Sequence, residues 1–183
     1  MAIAVIKCLH CHVAASPKRA EAMSWETMAV MPLRICRRAT DQDALINRRC
    51  PRNEPPFSPL GQRSQTLGLR VIDRCNLTIL AEPGYEDLAQ FLADSEVEIV
   101  ASLPCYLEEN VNKQRGDGVF SSQPERFAPV KCAGYGLPDS GRVLNLVYNP
   151  TGASLPPNQA ALELAHKEQL ATRYGIVFNQ LLR

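Results

Sequence analysis

The 183-residue chain carries 20 Lys and Arg against 19 Asp and Glu, so it presents no field for a polyanion, and no nucleic-acid partner is expected. Its hydrophobic fraction of 45% is that of an ordinary globular domain, and no run approaches the roughly 18 apolar residues of a membrane helix. The opening run Met1-Ala2-Ile3-Ala4-Val5-Ile6-Lys7 is too short for a secretory signal, so a cytoplasmic, reducing location is expected, in which seven cysteines favour metal or catalytic use over disulfides.

In chain order, residues 1–27 hold the tight pair Cys8 and Cys11, then a loop and a helix announced by Ser16-Pro17. Through 28–66 the apolar period is lost among Pro32, Pro51, Pro55, Pro56 and Pro59, and a strand is expected to be missing there. Leu69 to Asp73 reads as a strand, followed by an apolar run from Leu77 to Leu80. Glu82-Pro83-Gly84 turns into a helix over 85–94, and Val97 to Leu103 is a second strand. A polar loop ends at Gly116-Asp117-Gly118. Residues 121–133 lose the pattern again, with Pro124 and Pro129 inside what should be a crossover helix. Arg142 to Tyr148 is a third strand, 158–173 a helix opened by Pro156-Pro157, and Ile176-Val177-Phe178 begins a fourth strand.

Strands alternating with helices predict an α/β fold built on a parallel sheet, in one domain. Active groups of such sheets lie at the carboxyl ends of the strands, which singles out Asn76, the corner Ser102-Leu103-Pro104-Cys105, and Tyr148-Asn149-Pro150. Each has a plainer reading. Asn76 and Ser102 can serve as turn or capping residues, Cys105 as a small buried apolar group, and Tyr148-Asn149-Pro150 as a strand-ending turn.

Cys8-Leu9-His10-Cys11-His12 admits several chemistries. Taken literally, C-x-x-C-H is a haem attachment motif, and it could equally supply two of four zinc ligands, though no second pair accompanies it. Two ordinary loop thiols are the third possibility.

The flanks favour a fourth. Cys8 to Val13 with Ala15-Ser16-Pro17-Lys18-Arg19 is similar to the end of the C-x-x-x-C-x-x-C loop of radical S-adenosylmethionine (SAM) enzymes. Leu69 to Thr78, Val100 to Val111, Asn145 to Pro150 and Tyr174 to Asn179 resemble the arsenosugar-biosynthesis branch of that family, and these blocks span about two thirds of the chain. The resemblance implies a partial parallel (β/α) barrel of the radical SAM type, expected to be incomplete because the family's barrel continues past Phe178-Asn179 and is followed by a cysteine-rich C-terminal domain, whereas this sequence stops at Arg183. It also implies a [4Fe–4S] cluster with Cys8 and Cys11 as ligands and S-adenosylmethionine as cofactor. His10 would stand beside the adenine, and Asn76 and Ser102 would contact SAM or substrate. The implied chemistry is reductive SAM cleavage and deoxyadenosyl transfer to a small arsenical acceptor, with a flavodoxin or ferredoxin as electron donor.

Three departures from the family stand out. Ala4 occupies the position of the first cluster cysteine, the family's Thr-Gly-Gly-Ala-Pro-Glu turn is absent, and the helix before Gly134 is scrambled. All three are consistent with altered reading frames. Stepping one base forward, codons for Ile46-Asn47-Arg48-Arg49-Cys50-Pro51 permit Leu-Thr-Gly-Gly-Ala-Pro, and those for Ala128 to Ala133 permit Arg-Arg-Leu-Asn-Ala-Leu. A two-base step from Ala4-Val5-Ile6 permits Cys-Asn-Gln. On this basis Cys36, Cys50 and Cys132 and the arginine pairs at 37–38 and 48–49 carry no functional weight. The expectation is an inactive enzyme fragment with an unpaired edge strand and poor solubility. The alternatives are a remnant without activity, or a small metal- or haem-binding protein acting through Cys8 and Cys11.

Overall fold

The computed structural model describes residues 43–48, 64–81, 83–103, 123–148 and 158–182, with Ser24, Glu26 and Val30 as isolated positions. The Cys8–Cys11 loop with Ala4 and His10, the corner residues Pro104 and Cys105, the Gly116-Asp117-Gly118 loop, and Asn149-Pro150 lie outside them.

Five strands, β1 (Asp43–Arg48), β2 (Arg70–Cys75), β3 (Glu98–Ser102), β4 (Leu144–Val147) and β5 (Gln180–Leu182), form one sheet in the order β1-β2-β3-β4-β5. Every neighbouring pair is parallel. Between them lie a 3₁₀ turn (Leu77–Ala81) and three helices, α1 (Leu88–Asp94), α2 (Gln123–Cys132) and α3 (Gln159–Tyr174). The fold is therefore α/β with a parallel sheet, as the alternation of strand and helix patterns predicts.

The pleat sorts the strand residues into two faces. Cys75, Ala101, Leu146 and Leu181 share one register row, and Asp73, Ile99 and Leu144 the next. All seven are buried, and the six apolar ones join Leu88 and Leu92 of α1, Phe127 and Val130 of α2 and Leu162 and Leu170 of α3 in the core. At about 1.5–3 kcal/mol for each large apolar side chain buried, this layer is the main source of cohesion. The opposite face is more polar. Arg70 pairs with Glu98 at 3.4 Å, and Arg74, Val100, Asn145 and Gln180 form a row above them.

Helix ends are set by local chemistry. Asn158 caps α3, its Oδ1 accepting from Ala160 N–H at 2.9 Å. Gly175 closes the same helix at φ 58°, with its N–H on Ala171 O and Ile176 N–H on Leu170 O. Glu96 takes the corresponding left-handed position after α1 at φ 49°, an uncommon conformation for a side chain of that size. Val97 N–H there reaches Leu92 O at 3.0 Å.

Two expected losses of structure did not occur. A strand forms inside the 28–66 block: the short run Ala44-Leu45-Ile46 suffices, because a strand of a parallel sheet needs a brief apolar stretch and no alternation. Its backbone pairs with β2 from Asp43↔Arg70 to Arg48↔Cys75. A helix also forms over Gln123–Cys132 despite its prolines. Pro124 falls in the first turn, where its missing N–H has no partner to lose. Burial of Phe127 and Val130, three residues apart, outweighs Pro129.

Two smaller expectations are corrected. The apolar run Leu77–Leu80 is a buried 3₁₀ turn, and the fourth strand expected from Ile176 begins at Gln180. Ile176 and Phe178 are buried in an extended lead-in that packs against the loop after α2, where Gly136 comes close to the carbonyl of Val177. Asn145 and Asn179 then set the β4–β5 register. Asn179 donates its N–H to Leu144 O and accepts Leu144 N–H on Oδ1, both at 2.8 Å, while Asn145 Oδ1 accepts Gln180 N–H at 3.1 Å.

Candidate functional site

The carboxyl edge of the sheet collects the groups singled out in the sequence. Cys75 is in register with Ala101, and Ser102 with Val147, so Asn76, Ser102 and Tyr148 follow one another along this edge. Each is half-buried. Leu103 N–H donates to Val147 O at 3.1 Å, and Tyr148 N–H to Leu182 O at 2.8 Å, which continues the ladder to its rim.

Asn76 is turned toward its own chain. Its Oδ1 accepts from Thr78 Oγ1 at 2.7 Å and from Thr78 N–H at 3.3 Å, while its carbonyl accepts Ile79 N–H. These bonds cap the 3₁₀ turn, the local role open to any Asn after a strand. Ser102 places a hydroxyl at the rim. Tyr148 lies edge-on to His166, ring centroids 5.6 Å apart at 77°. Two carboxylates of the neighbouring strands sit away from the rim. Asp73 faces the helices in a row with Ile99 and Leu144, and Glu98 opens β3.

His166 was not anticipated from the sequence. It occupies a buried position in the Leu162, His166, Leu170 stripe of α3, and its Nδ1–H donates to Leu162 O at 2.8 Å. Burial holds its pKa below the ordinary 6.5, and the bond to Leu162 O offsets this only in part. The sign follows directly: below 6.5 the unfolded chain takes up a proton that the folded chain resists, so stability falls as the pH drops. Denaturant midpoints measured at about pH 7.5 and about pH 5.5 should show this decline, and His166→Gln should flatten it. An unchanged slope in the variant would remove His166 as its source.

Tyr135, below the rim, donates its hydroxyl to Val97 O at 2.8 Å. Burial raises its pKa, so it remains a neutral structural donor.

Among the described residues no three His, Cys, Asp or Glu side chains are grouped to hold a metal ion. The described cysteines do not complete a cluster set. Cys75 is 2% exposed on the helix-facing side of the sheet, and Cys132 ends α2. Cys8, Cys11 and Ala4 lie outside the described residues. The two described cysteines, one buried in the sheet and one at a helix end, do not by themselves fit a cluster that needs three sulfur ligands and one vacant iron. The rim carries the Asn76 amide, whose oxygen is bound to Thr78, the Ser102 hydroxyl, and the Tyr148 phenol, whose ring lies against His166.

Among the described residues no helix is long and apolar enough to cross a membrane. Comparison of the chain with protein-family models, with curated proteins and with solved structures found no match in any of the three.

Proposed function

We propose that this chain is a partial, catalytically silent copy of a radical SAM barrel of the arsenosugar-biosynthesis type, with much of the scaffold retained and the cofactor apparatus lost. The observation that carries the reading is the donor set: two thiolates at Cys8 and Cys11, an alanine at position 4, and a third candidate, Cys75, buried against the helices. A [4Fe–4S] cluster with a vacant iron cannot be held by two sulfurs, so neither SAM chelation nor its reductive cleavage follows.

Strand order supports the scaffold half of the proposal. Five parallel strands in chain order are consistent with part of a (β/α) barrel, which adds strands in that order, whereas doubly wound sheets reverse direction at a switch point. The displaced glycine motif supports it too. Asn47 and Arg48, where the alternative frame permits Thr-Gly, fall at the carboxyl end of β1, where Arg48 is level with Cys75. This edge also holds Asn76 and Ser102, so a glycine-rich turn there would join them around one ligand.

Anaerobic reconstitution with iron and sulfide tests the proposal. The purified chain should stay colourless, bind no cluster and release no deoxyadenosine from SAM and reductant. A brown protein that cleaves SAM would refute the loss of function, and stoichiometric zinc would favour a small metal-binding protein. A repaired chain carrying Ala4→Cys, Asn47→Thr, Arg48→Gly, Arg49→Gly and Cys50→Ala should gain cluster absorbance. Failure of a folded repaired chain to do so would count against the family reading.

A further inference from the structure

Among the described residues β5 is the last strand of the sheet, pairing with β4 on one side, and side chains of α3 reach its other edge. Leu181 N–H donates to Glu163 Oε2 at 3.0 Å, and Leu181 O accepts from Gln159 Nε2. Gln159 and Glu163 are four residues apart, so they stand one above the other on the helix and reach the strand together. Glu163 Oε1 is held in turn by Lys167 Nζ at 2.7 Å, and Lys167 Nζ lies 5.7 Å from the centroid of the Phe178 ring. The Lys167 contact and the Leu181 N–H together keep the Glu163 carboxyl below the ordinary carboxylate range, so it stays an acceptor. Asn158, Ala160 and Leu164 complete an open groove beside these residues, and Leu164 is 69% exposed.

One residue presenting both N–H and C=O outward is half of a hydrogen-bonded pair in an antiparallel ladder. The matching half is the same residue in a second copy, brought up by a two-fold axis, which makes Leu181 self-complementary. The strand Gln180-Leu181-Leu182 contains neither lysine nor proline, the residues that commonly discourage such pairing. We propose that Gln159 and Glu163 guard the β5 edge by filling both backbone positions of Leu181, and that without them β5 pairs antiparallel with β5 of a second copy of this chain. This assignment is independent of any cofactor chemistry.

The full chain is compared with Gln159→Ala/Glu163→Ala and with Glu163→Gln, which retains an acceptor for Leu181 N–H. Sedimentation over a range of concentrations reads self-association, and amide hydrogen exchange at Leu181 locates it. The double variant should associate at least about tenfold more tightly than the parent, with protection of the Leu181 amide rising with concentration. Glu163→Gln should match the parent. A folded double variant with the parent's association overturns the proposal, as does Leu181 protection that is unchanged at low concentration. If the double variant does not fold, Gln159→Ala alone, which frees only the carbonyl, should still show a smaller shift of the same kind, and no shift there overturns it.

Discussion

Gly136→Ala is expected to destabilise the fold by at least about 3 kcal/mol, among the larger effects a single methyl group can have. Gly136 sits at φ +77°, where a residue with a Cβ is strained by roughly 1–2 kcal/mol on conformation alone. A Cβ there would also stand 2.2 Å from Val177 O and 2.8 Å from its carbonyl carbon. Both are backbone atoms, so no rotamer change relieves the overlap. The loop after α2 or the lead-in to β5 must move, and that lead-in carries buried Ile176 and Phe178. Gly141→Ala is the internal control, because at φ +69° it meets nothing within 4 Å. Urea unfolding of the two variants separates the contributions. Equal losses would show that the approach to Val177 has no energetic weight.

The second large effect has the opposite sign. Pro129→Ala should stabilise the chain by about 2 kcal/mol or more, raising Tm by roughly 4–8 °C. Pro129 lies in the interior of α2, where it supplies no N–H to the carbonyl four residues earlier and its ring crowds that carbonyl. Its own carbonyl is used normally, accepting Ala133 N–H at 3.0 Å, so the helix continues past it with one bond missing. Pro124→Ala, in the first turn of the same helix, should change stability little. A Pro129→Ala variant that melts no higher than its parent would mean that the proline ring packs well enough to compensate.

The helix and strand patterns were legible where apolar spacing alone determines the element. Leu69 to Asp73, Val97 to Leu103 and Arg142 to Tyr148 contain β2, β3 and β4 or overlap them to within two residues, and 158–173 matches α3 within one residue at each end. The misses have a common cause. In β1 and α2 the local signal is poor, and neighbours decide: β2 supplies the backbone partners of β1, and the core receives Phe127 and Val130 of α2. For β5, alternation in Ile176-Val177-Phe178 is real, but Gly136 and its loop face that segment, so the ladder starts later.

At the rim, placing Asn76, Ser102 and Tyr148 on one edge followed from strand ends alone. That Asn76 spends its side-chain oxygen on Thr78 could be read only as one of two possibilities, since an Asx turn and a ligand contact use the same residue type. The roles of Asn145, Asn179, Gln159 and Glu163 carried no legible signal. Polar residues on a helix face or at a strand start ordinarily meet solvent, and only the register of β4 with β5 reveals what they hold.

Sequential pairing also governs how damage spreads. Asp43 meets Arg70, Ile72 meets Glu98, Ile99 meets Leu144, and Asn145 meets Gln180, so each strand depends on the one beside it and on a crossover of a few tens of residues. Such an assembly is modular in the manner of a stacked solenoid, with cohesion summed over adjacent units. A corrupted stretch in one crossover weakens its own joint and leaves more remote joints intact, whereas in a sheet that doubles back on itself the strand at the turning point joins both halves. The arrangement therefore tolerates sequence change piece by piece, each joint standing or failing with its own two strands.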